Sequence, residues 1–517
     1  TSYSTVNTIQ SLQKNEAHNV NLGFEQKIDS LADLTFKSNI KFLNNSTNTI
    51  NETGFIADDN FKTRSTNLTS NNKGNGYDIS NNLRLNKRFM KKDRILNVTY
   101  SNNFTNNTTD GFLKTDNEFF TTSTQTITSV NQKKSNLANS QNHSAGFSFT
   151  EPITKKIKVE LSYDYMFLNS KQDKKSLNNI GGEYNLIDSS LTNNFVNKKQ
   201  TNRGGLKFIY EVKKIRFTLG SKVRNVFVHN DNLFKKQIIT QNFTNILPFS
   251  TLRYKFTDNK QLNVSYKISS INPTISELQP VPDNSNPNFI IIGNPKLLPT
   301  FSHEVNLNYN SWKSITGSYT WFGGNFIYTN SDITTSVVID SIGRTVSKNV
   351  NVDGDYLAEV YAGTSKAFFS KKLEIMPNAN VSYLSNKSFI NNELNKAIDI
   401  QTSMSLEFKF NFEKVTASLM PWYSYNYAYA SINTGNIKPY TSEGIVANVS
   451  VKLPKRFVVE TDADYNVNAK RTNGYNISYV VWNASLQKTF FKLDNFILGV
   501  YAYDILNQNI SVNRTIT

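Results

Sequence analysis

The sequence lacks cysteine, long hydrophobic runs and a leader. None of its 517 residues is cysteine, which excludes disulfides, thiol catalysis and cysteine-ligated metals. No run of about eighteen apolar residues occurs, so a membrane protein built from helices is excluded. The first residues, TSYSTVNTIQ, have neither the charged start nor the apolar core of a signal peptide, and no initiator methionine. We therefore expect Thr1 to be an internal position of a longer protein.

The residues that usually carry enzyme chemistry are few or badly spaced. The sequence has no GxSxG motif, no nucleotide-binding loop and no Ser-His-Asp order. Asp58-Asp59 and Asp353-Gly354-Asp355 match only part of a calcium site in external loops. Four histidines are far apart without metal-ligand spacing, and we expect each at a strand end or in a loop: His18, His143, His229 and His303. The prediction is a protein that is not an enzyme and has no cofactor or bound metal.

The chain is basic, with 57 Lys and Arg against 40 Asp and Glu and a net charge of +17. The basic residues are scattered as pairs in turn-like segments and do not form one patch. This scatter disfavours nucleic-acid binding and is better explained by contact with anionic lipid headgroups. The positive net charge also weakly favours an anionic ligand, but contact with lipid headgroups explains it equally well.

Strict alternation of apolar and polar residues is the main pattern that is present. From Ile398 to Phe412 the even positions are mostly apolar and the odd positions polar over about fifteen residues. Strands of soluble sandwiches are usually about five or six residues long, whereas a tilted strand needs about nine to eleven to cross a bilayer. These longer alternations therefore predict strands that cross a membrane and project beyond it, with lipid outside and water inside.

The same unit recurs along the whole chain as two strands around a short turn. We count about ten short turns, the first at Asp29–Ala32 and the last at Phe491–Asn495, and hence about twenty strands. Long segments rich in Asn, Ser, Thr and Gly separate the hairpins and are expected to be external loops: Asn44–Gly76, Asn106–Gln141 and Ser170–Asn202. A barrel with both termini in the periplasm needs one more strand at each end, about twenty-two in total. We therefore expect residues 1–517 to be one barrel domain without its first and last strands.

Two sets of side chains resemble functional sites, but the barrel pattern favours a structural role for each. Glu460, Asp462 and Asp464 resemble catalytic carboxylates, but the period of two places all three on the lumen face, where charge is ordinary. An aromatic run on the strand after Glu413 resembles a sugar-stacking platform: Trp422, Tyr423, Tyr425, Tyr427 and Tyr429. The tyrosines share a face with Val415, so an aromatic girdle at the membrane interface is the favoured interpretation.

Six of the twelve prolines fall between Ser270 and Phe301. Proline fixes φ and has no N–H to donate, so we expect neither helix nor central strand here. The stretch also carries many apolar residues, which disfavours a disordered linker. A loop of about thirty residues is usually functional. It either caps the external mouth and contacts solute, or packs into the barrel to hold a plug or shape the lumen; the apolar residues favour packing.

Two motifs in this order resemble the outer-membrane β-barrel family of Bacteroidetes TonB-dependent receptors. The first spans the proline-rich loop, and we take these positions as candidate site residues: Asn272, Pro273, Leu278, Pro280, Asp283, Asn284, Pro287, Gly293, Asn294, Pro295, Leu298 and Pro299. The second lies near the end of the chain: Asp504, Leu506, Asn507, Gln508, Asn509 and Arg514. The resemblance implies a 22-stranded type of antiparallel transmembrane barrel in a Gram-negative outer membrane.

The same resemblance implies energy-coupled import of a nutrient ligand. Such receptors contact the TonB complex through a plug region, and no plug or TonB-contacting segment is recognisable in these residues. Outer-membrane lipid or lipopolysaccharide is the further expected partner, with no role for nucleic acid. A passive or secretion-type barrel and a surface adhesin stay open as alternatives. The substrate cannot be inferred, because selective residues lie in irregular loops.

Overall fold

A single sheet of twenty-five strands makes up the computed structural model within the residues that it describes. These are residues 3–57, 61–120, 124–189, 191–278, 283–286, 289–339, 345–432, 439–469, 477–491 and 496–509. The strands are β1 Tyr3–Asp29, β2 Ala32–Ala57, β3 Lys62–Arg88, β4 Ile95–Phe120, β5 Gln125–Pro152, β6 Ile157–Ile180, β7 Glu183–Ile187, β8 Asn193–Glu211, β9 Ile215–Asn232, β10 Gln237–Thr257, β11 Lys260–Ile271, β12 Asp283–Asn286, β13 Phe289–Ile292, β14 Thr300–Lys313, β15 Ser318–Asn330, β16 Asp332–Ile339, β17 Thr345–Val352, β18 Asp355–Phe368, β19 Leu373–Ile390, β20 Glu393–Asn411, β21 Val415–Ala430, β22 Tyr440–Leu453, β23 Phe457–Ala469, β24 Ile477–Phe490 and β25 Phe496–Ala502. A helix, α1, spans Ile275–Leu278, and a 3-10 turn spans Pro454–Arg456.

Twenty of the described strands form a continuous antiparallel meander, in which each strand pairs with the next. The other five, β7, β12, β13, β16 and β17, belong to the connections at the external end. The predicted count of about twenty strands is therefore confirmed. Short turns join the strands at one end, which matches the predicted asymmetry between short turns and long external connections.

In their membrane-spanning parts the strands of the meander have an apolar face and a polar face, as the alternation predicted. In β9 the exposed side chains Leu219 and Val223 alternate with Thr218 and Arg224, and Thr218 is only 9 % exposed. The strand register carries this division to the neighbours, because residues directly opposite each other share a face. The exposed apolar face is the one that lipid covers, and the polar face lines the lumen.

The three segments expected to be external loops are mostly strand, and that expectation was wrong. Strands β2 and β3 stay paired up to Ile56 and Lys62, and β4 and β5 up to Phe120 and Gln125. The third segment contains β7 and the outer parts of β6 and β8. Beyond the membrane both faces of a strand meet water, so the hydrophobic alternation that marks a spanning strand disappears. We call the outer parts of β1 to β6 the hairpin extensions.

The proline-rich stretch also departs from expectation, because it contains regular structure. Its helix α1 is a single turn, and β12 and β13 are strands of four residues that pair with each other. Strand β13 additionally pairs in parallel with β17. The stretch therefore forms short elements between its prolines rather than a purely irregular loop.

Candidate functional site

A capping box starts the ordered part of the proline-rich loop. The backbone N–H and the hydroxyl of Thr274 donate to Glu277 Oε2 at 2.6 and 2.8 Å. The N–H of Glu277 donates back to Thr274 Oγ1 at 3.4 Å. This reciprocal arrangement satisfies donors at the start of a helix and fixes α1 despite the prolines around it. It also directs Leu278, which is 1 % exposed, into the interior of the loop.

The Gly293-Asn294-Pro295 segment forms a turn, and Asn294 holds it together. The backbone N–H of Asn294 donates to Glu277 O at 2.5 Å, which joins the turn to α1. Its side-chain oxygen accepts the N–H of Lys296 at 3.1 Å, a local bond typical of asparagine in turns. Gly293 is buried, and Leu297 is 2 % exposed.

A second external segment, the β16–β17 hairpin, clamps the loop. Asn351 of β17 accepts the N–H of Leu298 at 2.9 Å and donates to Leu298 O at 3.0 Å and to Ser331 O at 2.8 Å. Asn294 Nδ2 donates to Asn349 O at 3.0 Å. These bonds reinforce the parallel pairing of β13 with β17. We call the proline-rich loop together with this hairpin the loop assembly.

The loop assembly is also bound to the inner wall of the barrel. Arg224 of β9 donates from Nη2 to Asn272 Oδ1 at 3.1 Å, and Gln241 of β10 donates to Pro295 O at 3.3 Å. Both side chains lie on the lumen face, which they share with Val226 and Val228. Val226 is 1 % exposed and Val228 is buried. The loop therefore packs inside the lumen, as its apolar residues had favoured.

The structure brings most of the candidate residues of the first motif together in this loop. Pro273, Leu278, Gly293 and Pro299 are buried, while Pro295 and Leu298 are exposed. Asp283 and Asn284 lie in β12. Pro280, Pro287 and Arg514 lie outside the described residues. That any of these residues contacts a ligand stays a prediction.

The sequence analysis did not predict three residues that hold the loop: Arg224, Gln241 and Asn351. They lie about fifty residues from their partners, with separations of 48, 54 and 53. Nothing in their local sequence distinguishes them from the many other polar residues of the strands. The Thr274–Glu277 spacing, by contrast, was a visible capping-box signal.

The second motif forms a turn that ends β25. The two carboxylate oxygens of Asp504 accept the N–H groups of Gln508 and Asn509 at 3.0 and 3.2 Å. Asp504 also donates its own N–H to Asn483 Oδ1 at 2.9 Å, and Gln508 accepts the N–H of Val480 at 3.0 Å. Asp504 and Asn507 have φ values of 47° and 51°, which Asp and Asn tolerate better than most residues. The motif therefore has a structural role, joining the turn to β24.

The candidate metal ligands are not brought together. All four histidines lie within strands, in β1, β5, β9 and β14; His229 and His303 are near a strand end, as expected, whereas His18 and His143 are not. Each is on the apolar face, and His143 and His303 hydrogen-bond to Tyr100 and Tyr266 at 3.0 Å. No group of three His, Cys, Asp or Glu among the described residues is placed to hold a metal ion. Asp58-Asp59 lies outside the described residues.

Asp355, from the partial calcium-site match Asp353-Gly354-Asp355, lies at the base of the loop assembly. It is 5 % exposed, and burial, reinforced by the nearby Asp332 carboxylate, raises its pKa to about 6. Lys387 opposes this shift and donates to the backbone oxygen of Asp353. A buried carboxyl beside a like charge favours its protonated form, so this group titrates closer to neutral pH than an ordinary aspartate.

The lumen wall next to the short turns contains a cavity of about 400 Å³. Arg203 pairs with Asp164 at 3.0 Å, and Lys207 pairs with Glu160 at 2.7 Å, along its floor. Lys222 also lines it. A second cavity of about 620 Å³ on β1 to β5 is lined mostly by asparagine and serine. The wall thus offers both a charged and a neutral polar surface.

The family of the chain follows from a match that covers most of its length. The profile of the outer membrane protein beta-barrel family matches residues 87–517. The chain belongs to this family. No curated protein sequence matches it significantly. No helix in the described part is long and apolar enough to cross a membrane.

Solved structures that are similar to this family member have low sequence identity to it. The copper transporter OprC has a TM-score of 0.53 at 10 % identity, covering 93 % of this chain and 80 % of OprC. The siderophore receptor PirA from Pseudomonas aeruginosa gives 0.42 at 9 % identity over 90 % of this chain and 79 % of PirA. The ferric preacinetobactin receptor BauA from Acinetobacter baumannii gives 0.45 at 12 % identity over 92 % and 78 %. The OprC likeness supports the fold, and the prediction of a large antiparallel barrel integral to the outer membrane is confirmed.

Proposed function

We propose that this barrel is the translocation barrel of a TonB-dependent receptor that imports a nutrient ligand. The observation that carries the proposal is the loop assembly, which contains the motif that resembles Bacteroidetes TonB-dependent receptors. A loop bound to Arg224 and Gln241 on the inner wall narrows the lumen. A loop in this position obstructs free diffusion through the lumen, which suits an importer that opens a path for its ligand. Outer-membrane transport also agrees with the family and with the structural neighbours.

In this proposal a plug region couples the barrel to the TonB complex, and residues 1–517 act as a single barrel domain. The outer face contacts lipid or lipopolysaccharide, and neither enzymatic chemistry nor nucleic acid has a part. The ligand contacts the external loops and the lumen wall. The specific nutrient is left open, because the loops that select it have no recognisable chemical signature.

Solute accumulation in intact cells tests the proposal. Cells with the native gene, with the gene deleted, and with the Leu297→Ala variant are given a complex nutrient extract, and mass spectrometry records which solutes are depleted. We expect at least one solute whose uptake needs the gene and stops when a protonophore collapses the proton gradient. The Leu297→Ala variant should lose uptake while its barrel still inserts.

Other outcomes identify the alternatives. Uptake that continues after collapse of the gradient shows a passive or secretion-type barrel and overturns the coupled importer. An adhesin shows no gene-dependent solute uptake and instead loses attachment to surfaces when the hairpin extensions are shortened.

A further inference from the structure

The lumen wall is divided into two regions of opposite charge. The register of the strands decides which side chains face the lumen, because directly paired residues share a face. On β8 and β9 the lumen face carries a cationic sector: Lys199, Arg203, Lys207, Arg216, Lys222 and Arg224. From β18 to β23 it carries an acidic sector: Glu359, Asp399, Glu407, Glu460, Asp462 and Asp464.

The two sectors face each other across the barrel. In the twenty-strand meander β9 is the eighth strand, and the acidic sector runs from β18, the thirteenth, to β23, the eighteenth. The acidic strands therefore lie five to ten positions from β9, and β23, which carries three of the six carboxylates, lies about half the circumference away. Exceptions are few: Glu211 is a carboxylate on the lumen face of β8, and Lys409 and Lys452 are cations on those of β20 and β22.

No cation among the described residues forms an ion pair with the acidic sector. Ion pairs among the described residues all lie at or before Glu304, and none involves a carboxylate of this sector. Its side chains have neutral partners instead. Gln487 donates to Glu460 at 2.9 Å and Asn483 donates to Asp462 at 2.7 Å. In a chain with a net charge of +17, cations are available, so this separation is a property of the wall and not a shortage of partners.

The cationic sector is only partly neutralised. Arg203 and Lys207 have the carboxylate partners Asp164 and Glu160, and Arg216 lies 4.0 Å from Glu211. Lys199 and Lys222 form no ion pair with a described residue, and Arg224 binds the neutral Asn272. The 400 Å³ cavity beside Arg203, Lys207 and Lys222 has room for a carboxylate or phosphate group.

Charges of one sign on each wall produce a field across the lumen. In open water such charges are screened beyond about 8 Å at physiological salt, but a narrow lumen with low-dielectric walls focuses the field. A solute with only negative charge is repelled by the acidic sector, and one with only positive charge by the cationic sector. A solute with both, separated along its length, is attracted on both sides.

We propose that the two sectors select and orient a bipolar solute, such as a peptide-like zwitterion. Its anionic end faces β8 and β9, and its ammonium end faces β20 to β23. This inference rests on the proposed import function for its biological meaning, but the charge division itself does not depend on transport.

Single cysteines test the field directly, because the chain has none of its own. Ser485→Cys lies opposite Glu460 in the acidic sector, and Thr201→Cys lies between Lys199 and Arg203. Ser101→Cys, on the neutral asparagine-lined wall, is the matched control. Each variant, in outer-membrane preparations, is labelled with a positively charged and a negatively charged methanethiosulfonate reagent of similar size.

We expect the ratio of the cationic to the anionic labelling rate to be at least about tenfold higher at Ser485→Cys than at Thr201→Cys, with Ser101→Cys between them. Raising the salt to 1 M should shrink the difference, because the screening length falls to about 3 Å. Adding Asp462→Asn to Ser485→Cys should lower its ratio. Equal ratios at all three sites would overturn the charge division.

A peptide probe tests the bipolar ligand. A terminally blocked Asp-Gly-Gly-Gly-Lys peptide at millimolar concentration should slow labelling at both Ser485→Cys and Thr201→Cys by at least about threefold, by occupying the lumen between the sectors. The matched peptide with Asn and Gln at its ends should slow neither. If the two peptides act alike, the bipolar selection is wrong. If labelling behaves as expected but no solute uptake depends on the gene, the proposed import function fails and the charge division stands.

Discussion

The external end of the barrel is built in two different ways. The hairpin extensions of β1 to β6 simply continue the antiparallel ladders of the membrane strands, and their side chains meet water on both faces. The loop assembly instead folds short elements inward and buries Leu278 and Leu297 against neighbouring segments. The first construction depends on backbone hydrogen bonds that recur along the strand, so no single side chain is critical. The second depends on a few side chains, each of which makes several contacts.

Removing a buried leucine should separate the two constructions most clearly. Leu297→Ala deletes a side chain that is 2 % exposed, and such a truncation in a packed interior costs about 2–5 kcal/mol. We expect faster hydrogen exchange of the backbone amides in residues 289–298. Leu137→Ala, on the β5 extension where the side chain is already exposed, is the control and should change exchange little. Similar effects of the two substitutions would contradict the comparison.

Asn351→Ala should give the next largest effect. It removes three hydrogen bonds, two to the backbone of Leu298 and one to Ser331 O, at 2.8–3.0 Å. Leaving such groups unpaired costs about 1–3 kcal/mol. Limited proteolysis of the loop assembly should become several-fold faster. Asn75→Ala in the β3 extension is the matched control, and cleavage there should stay at the wild-type rate.

The loop assembly should also respond to pH, because Asp355 titrates at about 6. An unfolded aspartate titrates near 4, so the folded state binds the proton more tightly, and the stability of this site falls as the pH rises from about 4 through 6. Hydrogen exchange of residues 345–354, corrected for its intrinsic pH dependence, should be faster at pH 7.5 than at pH 5. The Asp355→Asn variant should lose most of this difference. If the wild-type protein exchanged at the same corrected rate at pH 5 and pH 7.5, the Asp355 carboxyl would not control the stability of the loop assembly.

The smallest effect is expected in the hairpin extensions. Ser129 donates to Asp116 at 2.6 Å on the exposed face of β4 and β5, and this bond is the main cause of a lowered Asp116 pKa. Ser129→Ala should raise that pKa toward its ordinary value and cost less than about 1 kcal/mol. A lowered carboxyl pKa stabilises the folded state above the ordinary pKa, and this contribution is lost as the pH falls. NMR titration of Asp116 would check the change in pKa, and hydrogen exchange of β4 would check the cost in stability. A loss of stability as large as that in Leu297→Ala would contradict the difference between the two constructions.

The same contrast explains what could be predicted from the sequence. Lipid on one face and water on the other force a period of two, so spanning strands such as Ile398 to Phe412 were readable. The hairpin extensions were mistaken for loops because water covers both faces and removes that signal. The loop assembly was only half predictable. Burial of Leu278 and the turn at Asn294 follow from local sequence, whereas Arg224 and Asn351 act on residues about fifty positions away.

Strand length gives the barrel mouth an oblique rim. Strand β5 has 28 residues, whereas β22 has 14. At about 3.3 Å per residue and a tilt of about 45°, these lengths rise about 65 and 33 Å. With an apolar band about 25 Å tall, β5 reaches about 40 Å beyond the membrane, while β22 ends near its surface. Antibodies and bacteriophages that reach the cell therefore meet the tall side first, and dissolved molecules have their shortest approach over the low side, directly above the acidic sector.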